Sequence, residues 1–528
     1  MVRIEIKKAG INGEGIGFYK RKPVFVEGCF PSEIVECELS DEGCFYRGKI
    51  LKIIRKSTKR IKAPCGLSRI CGACRLMEVD YQQQLDIKKQ LLRDALYKYC
   101  GYEGEIQGVV GSEQILHYRN KCNLPIIEHD GVLINALYRQ GSNHPVLLDD
   151  CLIHETEVER IRKQVLQVLN KHHLPVYKNS LKKGLRQLIV RGFADEYQLV
   201  LVSGNDVFSK ELISDLKQID KLVSFYQGIN TQKNPVNMMP PKLKKIFGQD
   251  KIRMTCGDFA LCLSPQAFFQ LNRYQAERIY SDVRELASDQ QQLIVEAYCG
   301  IGAISLYLHD KAEKLIGVEI IEKAIRDACS NCELNGINNI EFIADDAGKA
   351  IRKIARSSRI DILVADPPRT GMDEELLETI IRSRIDKIIY ISCNPATLGK
   401  DLAVLQKKYQ IDLVRAYDMF PQTPHVETVA LLSKLSEAKY HIEVKVDMDE
   451  LDLTTAESKA EYEEIQDWVQ KKYGFHVSRL NIAQVKRKYG IIERENYNKP
   501  KSPDSRQPGC TEEKVKAIVA ALKHFQMI

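Results

Sequence analysis

Between residues 261 and 437 the sequence predicts an α/β fold built on a parallel, doubly wound sheet, and three observations predict it. Short apolar β runs recur: Leu293-Ile-Val-Glu-Ala-Tyr, Lys314-Leu-Ile-Gly-Val-Glu, Ile340-Glu-Phe-Ile, Ile360-Asp-Ile-Leu-Val-Ala-Asp and Lys387-Ile-Ile-Tyr-Ile-Ser. Helical stretches such as Ile321-Glu-Lys-Ala-Ile-Arg-Asp-Ala-Cys separate them, and this alternation is the pattern of βαβ units. The first strand also runs into a glycine-bearing turn, Glu296-Ala-Tyr-Cys-Gly-Ile-Gly302. Sheets of this kind bind ligands at the carboxyl ends of their strands, so chemistry-bearing residues are sought there.

Residues 1–58 read differently. Val2-Arg-Ile-Glu-Ile-Lys alternates, Gly13, Gly15 and Gly17 punctuate, and further short β runs follow at Pro23, Ile34 and Tyr46. That spacing predicts a small β-barrel of the oligonucleotide-binding type. With the Phe30-Pro31-Ser-Glu corner, the segment resembles a TRAM domain, a small RNA-binding barrel. Residues 59–260 predict a mixed α+β central domain with a helix around Tyr81–Tyr99 and strands near Tyr118, Gly131 and Leu185. Residues 438–528 predict an acidic stretch and then a small helical extension, divided by a Lys/Pro/Ser/Asp linker near 497–508.

Composition fixes the class. With 528 residues, 44% hydrophobic and 28% charged, the chain is a folded multidomain protein. It has neither a signal-peptide-like start nor a run of eighteen apolar residues, so a cytoplasmic protein without a membrane span is expected. A monomer is expected as well. The net charge of +7 is modest, but Lys49–Lys62 carries seven cations and no acid. Such a strip suits a polyanion, although a solvated face has the same pattern.

At the first βα turn, glycines let backbone amides approach a ligand, and the second strand ends at Glu319, where a carboxylate can accept both hydroxyls of a ribose. No Gly-Lys-Ser/Thr follows, so a nucleoside cofactor fits better than a phosphate-cradling loop. A later strand ends in Asp366-Pro-Pro-Arg-Thr-Gly371, where two prolines stiffen the backbone and remove amide donors. The next ends in Ser392-Cys393-Asn-Pro-Ala-Thr397. A cysteine there faces the ligand crevice and is placed for covalent catalysis; the bland alternative is an inert buried thiol. Downstream, His425-Val-Glu427 opens an apolar strand. Glu427 is the candidate base, its pKa raised by burial, and His425 is its rival.

These blocks together resemble the bacterial RNA uracil-5-methyltransferases of ribosomal and transfer RNA, over residues 1 to about 437. Ser264-Pro-Gln-Ala-Phe-Phe269-Gln270-Leu-Asn272 resembles the family's lead into its catalytic domain. The resemblance implies S-adenosylmethionine (SAM) as cofactor, with Gln270, Tyr298, Glu319 and Asp366 as its contacts. It implies Cys393 as nucleophile and Glu427 as the proton-abstracting base. Ala303 stands where members often carry asparagine, which puts one cofactor hydrogen bond in doubt. A uracil in folded RNA must be unstacked before a thiol reaches it, and Phe268 and Phe269 are candidates for packing near the flipped base, though both also read as core.

Of 16 cysteines only three cluster, in Cys65-x5-Cys71-x2-Cys74, with Cys151 as a distant fourth. By spacing, four thiolates suit either tetrahedral zinc or a four-iron cluster. The ribosomal branch of the family implies a [4Fe-4S] cluster there and leans the substrate towards 23S rRNA over tRNA. Two other readings stay open. An exocyclic-amine methyltransferase also uses Asp-Pro-Pro but needs no Cys393, and an RNA-binding factor that only retains the fold would fail to bind SAM.

Overall fold

The computed structural model describes residues 1–139, 142, 144–233, 238–435, 462–478, 481–482, 485–486 and 511–524, in two compact units, 1–437 and 438–528.

The first unit begins with β1 (Val2–Glu5), β2 (Lys8–Ala9), β3 (Gly15–Tyr19), β4 (Lys22–Val26), β5 (Ile34–Asp41) and β6 (Tyr46–Arg55). Their order is β1-β5-β6-β4-β3-β2. The two ends of that order are consecutive in the chain, and between them Ile6 N donates to Glu33 O and Lys7 N to Ile16 O, both at 2.8 Å. The sheet thus closes on itself around Ile4, Ile6, Val24, Val26, Val35 and Cys37, the inward half of each alternating strand. Lys49, Lys52, Arg55, Lys56 and Lys59 of the basic strip are exposed. Arg60 is not available to a partner: it is nearly buried and bridges Glu33 and Glu78.

After the one-turn helix α1 (Ser68–Cys71), α2 runs from Tyr81 to Cys100. Asp80 caps it by accepting from Gln83 N at 2.8 Å, and Gly101 ends it at φ 64°, in the left-handed region that glycine enters freely. A seven-stranded sheet follows, with order β13-β12-β11-β10-β7-β8-β9. Its strands are β7 (Lys121–His129), β8 (Val132–Tyr138), β9 (Pro145–Leu148), β10 (Leu185–Phe193), β11 (Glu196–Ser203), β12 (Leu222–Ile229) and β13 (Leu243–Gly248). Helices α3 (Thr156–Lys171) and α4 (Lys210–Lys217) share its core through Val158, Ile161, Val165, Leu212 and Leu216. The hairpin of β14 (Ile252–Cys256) and β15 (Phe259–Leu263) then leads into α5 (Arg273–Leu286).

The last sheet has the order β18-β17-β16-β19-β20-β22-β21. It alternates β16 (Gln291–Ala297), α6 (Ala303–Leu308), β17 (Ala312–Glu319), α7 (Glu322–Leu334), β18 (Ile340–Ala344), α8 (Ala347–Ser357), β19 (Ile360–Ala365), α9 (Glu374–Arg382), β20 (Ile385–Ser392), α10 (Pro395–Leu405), β21 (Tyr409–Tyr417) and β22 (Glu427–Lys434). The first five strands in that order are parallel, as the alternation predicts. The strand opened by Glu427, β22, departs from this pattern and is antiparallel to both β20 and β21. The connection over residues 418–426 contains no helix, and without a crossover element a returning strand pairs antiparallel. This reversal starts β22 at the end of the sheet where β20 stops.

Helix α2 straps that connection down. Lys88 and Asp418 form an ion pair, both side chains fully buried. Lys88 Nζ also donates to Phe420 O at 3.0 Å, and Tyr81 OH donates to Asp418 Oδ2 at 2.8 Å. Gln84 and Gln422 exchange two hydrogen bonds at 3.0 Å, and Tyr118 OH donates to Pro421 O at 3.0 Å. Burial disfavours the charged lysine and lowers its pKa, while Asp418 opposes that shift. Lys88→Met leaves a buried carboxylate without its cation, so about 3–5 kcal/mol of stability should be lost. Denaturant unfolding of the full chain checks this; a loss below about 1 kcal/mol would mean that the strap does not depend on the pair.

In the second unit, α11 (Tyr462–Tyr473) and α12 (Glu512–His524) share a core of Ile465, Val469, Ala517, Ile518 and Leu522. The acidic stretch after residue 437 and the 497–508 linker lie outside the described residues, as does most of Asn481–Tyr489. No described helix is long and apolar enough to cross a membrane.

Candidate active site

Strand β20 is apolar from Ile388 to Ile391 and fully buried there, so it is fixed in the sheet up to Ser392. Asn394 then caps α10, accepting from Ala396 N at 3.1 Å, and Pro395 opens the helix, where no amide donor is missed. The Asn394 amide donates to Arg369 O at 3.0 Å, and Thr397 Oγ1 donates to Asn394 O at 3.1 Å. The asparagine and threonine of the cysteine block therefore lock the turn around Cys393 to the Asp366-Pro-Pro-Arg loop. That loop is held from below by Asp401, which accepts from Met372 N at 2.9 Å and from Tyr390 OH at 2.5 Å.

Ser392 of β20 pairs with Thr428 of β22. One step further along the same antiparallel register puts Cys393 opposite Glu427. Their electrostatics agree with that placement. Burial pushes the Cys393 thiol up to about 11, with Glu427 and Asp366 adding to the shift and Arg369 opposing it. Glu427 is 2% exposed; burial and then Asp366 hold its carboxyl well above the usual range, against Arg369. Burial likewise raises Asp366 to about 7. Among the described residues, three groups that become anions thus act on one another with Arg369 opposing them, and each resists ionisation.

His425 sits at the rim, exposed, with its ring edge-on to Phe420 at 6.2 Å. Partial desolvation, Arg369, Lys88, Arg119 and Arg75 lower its pKa to about 4, a shift that solvent around an exposed ring moderates.

In the glycine-bearing turn after β16 the backbone enters the left-handed region three times. Tyr298, Gly300 and Gly302 all have positive φ, at 62°, 54° and 76°. A Cβ at 302 would lie 2.9 Å from the Phe342 ring, so that position admits only glycine. Glu319 Oε2 accepts from Gly300 N at 3.2 Å and Oε1 from Ile321 N at 2.9 Å, which joins the turn to the end of β17. Gln270 is buried, and its carbonyl accepts from Asn120 at 2.9 Å. Two residues on, Asn272 caps α5 and donates to Met419 O at 3.2 Å, tying this segment to the loop before Glu427. Phe269 is core, edge-on to Phe193 at 5.9 Å, whereas Phe268 is 69% exposed. Ala303 is buried at the start of α6.

Sequence reasoning missed Glu296 as a charged component. It is 1% exposed, accepts from Ser305 Oγ, and burial raises its pKa to about 8. Because the folded-state pKa lies above the unfolded value, the native state holds the extra proton between about pH 4.5 and 8. Stability supplied by the neutral carboxyl is therefore present at low pH and lost as pH rises through that window. Glu296→Gln should flatten this fall by up to about 1.4 kcal/mol per pH unit. Melting curves from pH 5 to 9, in which the variant declines as steeply as the parent, would refute it.

Cys65, Cys71, Cys74 and Cys151 line one cavity of about 80 Å³ together with Arg119 and His154, and none is in a disulfide. Burial pushes Cys74 up to about 12 and raises Cys71; at Cys151 burial is again the largest effect, but the hydrogen bond and charge of His154 and the Ile153 amide together outweigh it and lower the thiol. The expected ligand set is met only as far as this shared cavity. Among the described residues, no group of three or more His, Cys, Asp or Glu side chains is placed to hold a metal ion. The four thiols thus face one space without standing around a common centre.

Residues 80–435 match the family model described as tRNA (uracil-5-)-methyltransferase. The chain belongs to the RNA uracil-5-methyltransferase family. An uncharacterized RNA methyltransferase of Bacillus cereus is 36% identical to this methyltransferase over 440 residues, 81% of this chain and 96% of the relative. One from Streptococcus agalactiae is 34% identical over 442 residues, 82% and 98%. Among solved structures, the Pyrococcus abyssi tRNA (uracil-54, C5)-methyltransferase in complex with S-adenosyl-L-homocysteine aligns with TM-score 0.66 at 26% identity, covering 82% of this chain and all of that one. The methyltransferase fold and SAM dependence follow from this membership.

Proposed function

We propose that this methyltransferase moves a methyl group from SAM to carbon 5 of a uridine in RNA, with Cys393 as nucleophile and Glu427 as base. The observation that carries the reading is the Ser392–Thr428 pair at the carboxyl end of the sheet, whose flanking residues Cys393 and Glu427 act on one another electrostatically. Carbon 5 of uracil is too weak a nucleophile to attack a sulfonium unaided. Addition of the Cys393 thiolate at carbon 6 makes carbon 5 an enolate carbon, which forms the new bond to methyl as the methyl–sulfur bond of SAM breaks and S-adenosylhomocysteine departs. Glu427 then takes the carbon 5 proton, the carbon 6–sulfur bond breaks, and the thiolate is restored. A carboxylate with raised proton affinity is suited to that task; His425, whose pKa falls to about 4, is a poor proton acceptor by comparison. Arg369 is the cation available to offset the charges that pass between these groups.

Gln270, Tyr298, Glu319 and Asp366 are the proposed SAM contacts. Bound SAM supplies an electrophilic methyl on a positively charged sulfur. The alanine at 303 offers no side-chain polar group, so any hydrogen bond at that point comes from backbone or another residue.

Residues 1–58 are proposed as a TRAM-like RNA-binding barrel, supported by the closed sheet and the exposed Lys49, Lys52, Arg55 and Lys56. Residues 59–260 form the proposed central domain, 261–437 the catalytic domain and 438–528 a helical extension. The substrate is proposed to be 23S rRNA, on the four-cysteine motif; tRNA is the alternative, since the solved neighbour named above is a tRNA enzyme. An iron–sulfur cluster, or zinc, at Cys65, Cys71, Cys74 and Cys151 rests on four unpaired thiols around one cavity. Iron and acid-labile sulfide in equal amounts in anaerobically purified protein would support it, and protein free of iron, sulfide and zinc would remove it.

Incubation with methyl-labelled SAM and either 23S rRNA or tRNA, followed by mapping of the product, tests the main reading. Label on carbon 5 of a uridine is expected. Label on an exocyclic nitrogen would favour the amine methyltransferase, and failure to bind SAM would favour a non-catalytic RNA-binding factor.

A further inference from the structure

We propose that the outward face of α8 and the arginine cleft at its far end form a second RNA-binding surface, which grips the phosphodiester backbone away from the target uridine. The inference rests on the RNA substrate of the proposed function and adds a site that function does not use.

Helix α8 begins beside the cofactor end of the sheet, where Asp345 N donates to Glu319 O at 3.2 Å. It is capped there by Asp346 and runs for 11 residues, about 16 Å, towards the amino-terminal ends of the strands. One face, with Ala347, Ala350 and Ile351, is buried. The opposite face carries Lys349, Arg352, Lys353 and Arg356, all exposed. Their spacing places about one cation on each turn of a single stripe. The stripe ends in an open cleft of about 770 Å³ whose charged lining is Arg352, Arg356, Arg359, Arg382, Arg384 and one acid, Glu378.

Several of these cations have local partners. Lys353 pairs with Asp345, Arg352 with Glu375, Arg382 with Glu378 and Arg359 with Asp386. Lys349, Arg356 and Arg384 have no carboxylate within ion-pair distance among the described residues. Helices α8 and α9 both end at the cleft, and a helix carboxyl end carries about half a negative charge. Three of the five cleft arginines are thus ion-paired, and the two helix ends together offset about one further charge, so Arg356, Arg384 and Lys349 leave about two positive charges unmatched along the track. The surplus positive field runs along a helix-long track, so a single small anion would cover only part of it, whereas a nucleic acid backbone presents repeated phosphates at matching scale. Arginine in particular makes bidentate bonds to phosphate oxygens. The track starts at the end of the sheet that receives the target base. A strand whose uridine is flipped into the Cys393 site can therefore continue along α8 into the cleft.

The test uses the full-length protein, a Lys349→Gln/Arg356→Gln/Arg384→Gln variant, and two probes, oligouridylates of roughly forty and roughly eight nucleotides. None of the three residues belongs to the catalytic or cofactor machinery. The wild type should bind the long probe more tightly than the short one. The variant should lose at least about tenfold affinity for the long probe, with a salt slope of log Kd smaller by about 2, as expected for three lost single-strand phosphate contacts. Binding of the short probe and the melting temperature should be unchanged. An Arg356→Lys/Arg384→Lys variant, which keeps the charge, should retain most of the long-probe affinity. Unchanged long-probe affinity and slope in the triple variant would overturn the site. So would intact RNA binding combined with lost binding of polyglutamate, which would reassign the cleft to an acidic protein partner. Failure of the underlying functional reading is a separate result: no label at uridine carbon 5 in any RNA.

Discussion

Cys393→Ala should reduce RNA methylation by at least about 10⁴-fold while SAM affinity stays within about threefold of the parent. The size follows from the chemistry: without addition at carbon 6 there is no enolate carbon, and the remaining groups in the site contribute only positioning and electrostatics. Binding should survive because the residues proposed to contact SAM approach from other strands. Tyr298 and Glu319 sit at the ends of β16 and β17, and Glu319 is held by the amides of Gly300 and Ile321 rather than by the cysteine loop. The fold should survive too. The turn around residue 393 is fixed by Asn394, Thr397 and the Arg369 carbonyl, and no hydrogen bond in that lock uses the thiol. Removing the sulfur also removes a group that burial, with Glu427 and Asp366 adding to it, keeps uncharged, so no buried charge is orphaned. Initial rates under single-turnover conditions and calorimetric SAM titration separate the two effects. Turnover that persists in the alanine variant, with label on an amino nitrogen, would sink the nucleophile and return the Asp-Pro-Pro loop to amine chemistry.

How much of this was legible beforehand divides along a physical line. Local patterns carried the parallel strands, because strands buried on both faces read as continuous apolar runs with helices between them. The capped helix α2 and the glycine turn were legible for the same reason: Asp80, Gly101, Gly300 and Gly302 each satisfy a backbone requirement within a few residues. Contacts distant in sequence left no such trace. Nothing in the string ties Lys88 to Asp418 or Gln84 to Gln422, yet these bonds position the loop before Glu427. The reversal of β22 was missed because an antiparallel strand buried on both faces has the same composition as a parallel one. Glu296 looked like a turn residue, and only its burial beside Ser305 makes it a titrating group. The cysteines mark the opposite limit. Their spacing pointed to a ligand set, but spacing does not fix side-chain geometry, and the four thiols share a cavity without forming a metal-holding group.

Glu427→Gln should stop turnover at a later step than Cys393→Ala, and that difference makes it the more informative variant. If Glu427 acts after the methyl group has moved, its loss leaves addition and methyl transfer possible and blocks only departure of the thiol. A methylated RNA joined to Cys393 should then accumulate, visible as a protein–RNA band that survives denaturing electrophoresis. Turnover should fall about 10²- to 10⁴-fold, the range for a lost general base. The substitution should cost no stability. Glutamine is nearly isosteric, and it removes an ionisable group that burial and Asp366 already disfavour in charged form. Above neutral pH the variant should be as stable as the parent or more so, because the parent's carboxyl ionises freely when unfolded while burial opposes its ionisation in the native state, which favours unfolding. His425→Ala is the control for the rival base. Its ring is exposed and weakly basic, so a change of a few-fold and no trapped RNA are expected. The converse pattern, with RNA trapped by His425→Ala and turnover intact in Glu427→Gln, would move the base to the rim. It would leave Glu427 as a buried neutral acid that shapes the pocket.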